Sequence, residues 1–127
     1  MGLSENGRRK KPMNETVRKV EAPMVYYRTI HVLNKKGAIK GHIITATAQM
    51  DPESFIVGAA FCSPKDKFWR AKGQLMAYER MLHHRTTVTI TVKEGEKVFD
   101  KLKEFCLKMA ASKNIGWMDG VTLERLV

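Results

Sequence analysis

Ser54-Phe55-Ile56-Val57-Gly58-Ala59-Ala60-Phe61-Cys62, continuing without a break into Ser63-Pro64-Lys65-Asp66-Lys67-Phe68-Trp69-Arg70-Ala71-Lys72-Gly73, decides the architecture of this chain. The first nine residues read as a strand, because Phe55, Val57, Ala59 and Phe61 alternate onto one side. The other side carries Ile56, Gly58, Ala60 and Cys62, small and apolar, which suits a central strand covered on both faces. The second part reads as a helix start. Ser63 stands at the cap, Pro64 at the first helical position and Asp66 where a capping box places an acid. The pattern predicts a helix from Pro64 to His83. Its core face is Phe68, Ala71, Leu75, Tyr78 and Leu82, and Trp69, Gly73, Met76, Arg80 and His83 form the neighbouring stripe.

Upstream, Met24 to Leu33 alternates as a strand, with Asn34-Lys35-Lys36-Gly37 as a turn and Ala38 to Met50 as the returning strand. Asp51-Pro52-Glu53 ends it, because proline cannot donate to a ladder. Downstream, Arg85 to Val92 reads as a fourth strand with Val88, Ile90 and Val92 inward. Glu96 to Ser112 reads as a second helix with Val98, Leu102, Phe105 and Met109 on its inner stripe. Val121-Thr122-Leu123 is a candidate for a short extra strand. The order is β-β-β-α-β-α. We therefore expect an α+β domain, a four-stranded antiparallel sheet with both helices packed on one face and the other face open. That domain spans residues 22–127. Residues 1–21, polar and basic, are expected to form a flexible arm.

The chain carries 23 Lys+Arg against 13 Asp+Glu, a net charge of +10. Residues 1–19 hold +4 of it, so the remaining +6 belongs to the folded part. A basic balance favours polyanionic partners. Two cysteines, Cys62 and Cys106, both within apolar patterns, are too few for a disulfide framework and fit a reducing, intracellular setting such as the cytoplasm of a cell or an infected host. No stretch approaches the roughly 18 apolar residues of a membrane span. Arg8-Arg9-Lys10-Lys11-Pro12 is followed by polar residues, so no signal peptide is expected.

Lys65, Lys67, Arg70 and Lys72 surround the adjacent aromatics Phe68 and Trp69. Cations hold phosphates, aromatic faces stack on bases, and a helix N-terminus adds unpaired N–H groups. Phe68 also fits the core stripe, whereas Trp69 is open to either role. Tyr26 and Arg28 share one face of the first strand and extend the basic, aromatic set, as do Arg80 and the turn lysines Lys35, Lys36 and Lys40. Unpaired strands are the favoured target, because their bases are available for stacking.

Other chemistry has weaker support. Glu79 and His83 at i, i+4 followed by His84 fall short of the three or four ligands of a zinc site. Asp51, Glu53 and Asp66 each sit in a turn or cap that accounts for them. Cys62 before a helix start raises an activated thiol, against which stand its small apolar neighbours. The chain has no glycine-rich phosphate loop and no Gly-x-Ser-x-Gly. No metal, cofactor or catalytic residue is expected.

The run from Gly58 to Gly73, continuing through Ala77 to Arg80, resembles a pattern in small uncharacterised proteins of phages and mobile elements. That pattern is Gly-x-Ala-x-Cys-Ser-Pro-x-Asp-x-Phe-x-Arg-x-x-Gly, then Ala and Arg about a turn apart, and it brings no activity with it. In element order and charge the chain is also similar to the archaeal single-stranded-DNA-binding proteins that replace the OB-fold protein in some thermophiles. That likeness implies single-strand binding and assigns no residue. The expectation is a non-enzymatic protein of viral or mobile-element type that binds single-stranded DNA or RNA, DNA favoured. Lys65, Lys67, Arg70, Lys72, Arg80 and Arg28 would hold phosphates, and Trp69 and Tyr26 would stack on bases. The alternative is a regulator that binds a host protein, with Trp69, Met76 and Met81 as anchors. A homodimer through a sheet edge or the C-terminal segment fits either.

Overall fold

The computed structural model describes residues 24–83 and 88–126. Its elements are β1 (Val25–Leu33), β2 (Ile39–Asp51), β3 (Ser54–Cys62), α1 (Arg70–His83), β4 (Thr89–Thr91), α2 (Val98–Ser112), a 3₁₀ turn (Gly116–Met118) and β5 (Thr122–Arg125). The arm expected over residues 1–21, and Arg85 to Thr87 of the expected fourth strand, lie outside the described residues.

The five strands form one antiparallel sheet in the order β4-β3-β2-β1-β5. The sequence reading counts four strands in the sheet, with Val121 to Leu123 as a candidate for a short extra one; β5 overlaps that candidate and is the fifth, pairing Leu123 with Val32 and Arg125 with Ile30. Tight turns set the register of the first three strands. Asn34 accepts the N–H groups of Lys36 and Ala38 on Oδ1 at 2.8 and 3.0 Å. Gly37 then turns with φ +86°. Between β2 and β3, Asp51 Oδ1 accepts the N–H groups of Glu53 and Ser54 at 3.0 and 2.9 Å. Those bonds, the Glu53 N–H first, hold the Asp51 carboxyl below its ordinary range.

The two helices do not share a face. Gly58 on β3 points at α1, where a Cβ would collide with the backbone of Ala77 and Met81. Its neighbours Val57 and Ala59 point the other way and pack against Leu102, Cys106 and Ala110 of α2. One face of the sheet thus carries Ile44, Ala46, Ala48, Ile56 and Ala60 under α1. The other carries Ile30, Val32, Ile43, Val57 and Ala59 under α2 and the C-terminal segment. The expectation of an open sheet face is overturned. Alternation on β3 already held the reason: a strand apolar on both sides needs cover on both sides.

Helix α1 also starts later and turns differently from the sequence reading. Ser63 to Trp69 forms a turn and an extended link, closed by the Asp66 N–H to Ser63 carbonyl bond at 3.1 Å and by Ser63 Oγ donating to Asp66 Oδ2 at 3.0 Å. Ser63 and Asp66 satisfy each other instead of capping a helix. Trp69 takes the cap position, its carbonyl accepting the Gly73 N–H at 3.0 Å. The buried face of α1 is Ala77 and Met81, with Gly73 laid against Ile44. Ala71, Leu75 and Leu82 of the predicted core stripe face solvent. Small residues win the sheet-facing side because β3 brings Gly58 and Ala60 to the contact, so the helix backbone comes close.

Helix α2 keeps part of its predicted inner face: Leu102 is buried with Val98 and Phe105 packed beside it, while Cys106 and Ala110, outside the predicted stripe, are the other buried residues. It ends at Asn114 (φ 55°), where the Ile115 N–H reaches the Ala110 carbonyl at 2.9 Å and the Asn114 N–H reaches Ala111 at 3.2 Å.

Candidate nucleic-acid interface

The link after β3 and the first turn of α1 form a corner at the end of the sheet. Phe68 anchors it. Its ring stacks on His42 with centroids 4.1 Å apart, and His31 meets His42 edge-on at 5.3 Å. Burial first, then the nearby His31 and Arg70, pushes the His42 imidazole below its ordinary pKa. Phe68 is therefore a packing residue against the α1-side core.

Anchoring Phe68 inward sends Trp69 outward. Trp69 is 67% exposed, the most open of the aromatic side chains on this face and at a helix start rather than in a core. It stands on the rim of a cleft of about 450 Å³. Ile44, Ala60 and Cys62 supply the apolar floor, and Lys67, Lys72 and Met76 share the rim. Lys65, Lys67, Arg70 and Lys72 are exposed around it. The first turn of α1 carries no acid, and its leading N–H groups have no acceptor within the helix. Asp66, the one carboxylate at the cleft, is engaged by the Ser63 hydroxyl. The corner is thus an electropositive rim around an apolar floor, with a flat aromatic face turned to solvent.

The remaining sequence-predicted residues lie elsewhere. Arg80 is committed to the fold: its Nη1 donates to the Ala59 carbonyl at 2.8 Å. Arg28 and Tyr26 stand on the α2 side of the sheet, so they cannot share a surface with Trp69. Arg28 donates from Nη1 to Thr47 Oγ1 at 2.9 Å, and burial and then the neighbouring Arg125 lower its pKa. Arg125 was missed in the sequence because only the β1–β5 pairing brings it there. Met81 is 1% exposed and cannot anchor a partner protein.

Burial, with Asp66 nearby, pushes the Cys62 thiol up, and burial alone takes Cys106 to about 12. Among the described residues no three His, Cys, Asp or Glu side chains gather as a metal site, and no helix is long and apolar enough to cross a membrane. Searches against protein-family models, curated proteins and solved structures find no match to this chain.

Proposed function

We propose that this protein binds single-stranded nucleic acid, single-stranded DNA in preference, without catalysing a reaction on it. The observation that carries the reading is the solvent-facing indole of Trp69 on a cleft rimmed by Lys67 and Lys72 at the N-terminus of α1. In this reading the indole stacks on an unpaired base. Lys65, Lys67, Arg70 and Lys72 neutralise the flanking phosphates, and the first-turn N–H groups of α1 donate to one further phosphate oxygen. A duplex keeps its bases stacked internally and offers the corner only its phosphates, so single strands are preferred. Arg80 supports the helix rather than the ligand. Tyr26, Arg28 and Arg125 form a separate basic surface on the other side of the sheet, with no part in the stacking site.

Tryptophan fluorescence tests this. Titration with a single-stranded DNA oligonucleotide is expected to quench the signal, with weaker quenching by RNA of the same sequence and the least by the duplex. Trp117 is half-buried against Gly41 and gives a constant background. Equal responses to single strand and duplex, or none at low salt, overturn the reading.

A further inference from the structure

Helix α1 carries two leucines, Leu75 and Leu82, on the side away from the sheet. Gly73, Ala77 and Met81 face the strands. Ala71, Leu75 and Leu82 run along the outside, and Tyr78, one side of which packs against the sheet-facing core, borders them, giving spacings of four, three and four. Leu75 is 58% and Leu82 37% exposed, and Tyr78 is half-buried. Exposed leucines taken singly are ordinary. A run at heptad spacing on one helix is different, because it makes a continuous seam for another helix. The fold does not need this seam, since the small-residue face already packs α1 onto β3.

The charges beside the seam say what covers it. Lys72 and Glu79 lie on the same flank, one heptad apart and both exposed. Among the described residues neither takes part in an ion pair. When two copies of α1 pack antiparallel about an axis between residues 76 and 77, like flanks meet. Each Lys72 then lies beside the partner's Glu79, and each Glu79 beside the partner's Lys72. A parallel pair offers no such match, because the opposite flank carries Gln74 and the buried Met81.

We propose that α1 is the interface of a homodimer, in which two copies of this chain pair antiparallel, Leu75 against the partner's Tyr78 and Ala71 against the partner's Leu82, with two Lys72–Glu79 ion pairs across the seam. The seam is short, about 17 Å from Ala71 to Leu82 at 1.5 Å per residue, so the dimer falls in the weaker part of the interface range. The charge pattern fixes the direction more than the strength. If the corner binds nucleic acid as proposed above, the dimer sets its two Trp69 sites about 22 Å apart along the helix pair. The dimer itself does not depend on that reading.

The test is sedimentation equilibrium without nucleic acid, from about 5 to 200 µM, the range in which a micromolar dimer dissociates. The wild-type protein is expected to pass from monomer to dimer, and Leu75→Glu to stay monomeric, with thermal unfolding matching the wild type at the low, monomeric end of that range. Lys72→Glu and Glu79→Lys are each expected to weaken dimerisation about tenfold or more by placing like charges across the seam. Mixing the two variants restores the dimer, because every facing pair is then opposite in sign. A wild-type protein monomeric throughout the range overturns the proposal. So does a dimer that survives Leu75→Glu, or a mixture no tighter than its components.

Discussion

Gly58→Ala should be the most damaging single methyl group that can be added to this protein. The new Cβ would sit on the Ala77 carbonyl oxygen and on the Met81 backbone nitrogen and Cα. All three obstacles are backbone, so no side chain can rotate away and α1 must retreat from β3. Overpacking of a core costs about 1–3 kcal/mol, with rigid obstacles at the upper end. Retreat also loosens Met81, a fully buried side chain whose burial is worth about 1.5–3 kcal/mol. The expected loss is about 3 kcal/mol or more, or a fall in Tm of roughly 12–24 °C for a domain of this size. Gly73→Ala is the control. Its Cβ meets Cδ1 of Ile44 at 2.7 Å, the movable end of a side chain. Alanine also gains about 0.8–1.0 kcal/mol of helix propensity over glycine. That variant should stay within about 1 kcal/mol of wild type, as relief and strain offset each other. Urea unfolding followed by circular dichroism reads both, as a shift in midpoint at constant slope. Equal effects of the two substitutions would refute the close packing of α1 on β3.

Two further predictions bear on the corner and its support. The His42 imidazole has a folded pKa below its ordinary 6.5. The unfolded chain therefore takes up its proton first as pH falls. Stability from this group is full above about pH 6.5, declines through that value and levels off below the folded pKa. His42→Asn should flatten the stability–pH profile there, and an unchanged profile contradicts the assignment. Arg80→Ala removes the bond to the Ala59 carbonyl. It should cost about 1–2 kcal/mol of stability while leaving the salt dependence of nucleic-acid binding unaltered. A smaller salt slope with unchanged stability would return Arg80 to the phosphates.

The strands were legible because their signals are local. Alternation in Met24 to Leu33 and in Ser54 to Cys62, the Asn34–Gly37 turn and the Asp51–Pro52 break place β1, β2 and β3 to within a residue or two. Helix α2 was legible through its 3.6-residue apolar pattern. Helix α1 misled on both counts. Ser63-Pro64-x-Asp66 has the composition of a capping box, but hydroxyl and carboxylate close a turn on each other and the helix waits until Arg70. Its larger apolar residues form a clean stripe, yet the sheet accepts the side made of Gly73 and Ala77, and only the position of Gly58 reveals this. The same local reading of β3 implied cover on both faces, which the one-sided arrangement of helices contradicted. Val121 to Leu123 reads in the sequence only as a short extra strand; that β5 (Thr122–Arg125) pairs with β1 and carries Arg125 to Ile30 depends on a contact between the two ends of the domain, which no nearby residue signals. For the candidate site, the sequence assembled the cationic, aromatic cluster from Lys65 to Lys72 because these residues are neighbours in the chain. It also added Tyr26, Arg28 and Arg80, which lie apart from that cluster, because the sheet face of the first two and the Ala59 bond of the third arise only in three dimensions.

The most direct measurement is the anisotropy of a labelled single-stranded DNA oligonucleotide, titrated with wild-type protein and with Trp69→Ala across a salt series. Four phosphates neutralised at the corner give a log–log slope near −3, or roughly a 50-fold loss of affinity between 50 and 200 mM salt. Trp69→Ala should weaken binding by about 5- to 150-fold at every salt concentration, one stacking contact, without changing that slope. An affinity indifferent to salt, or a Trp69→Ala protein that binds as wild type does, contradicts the account.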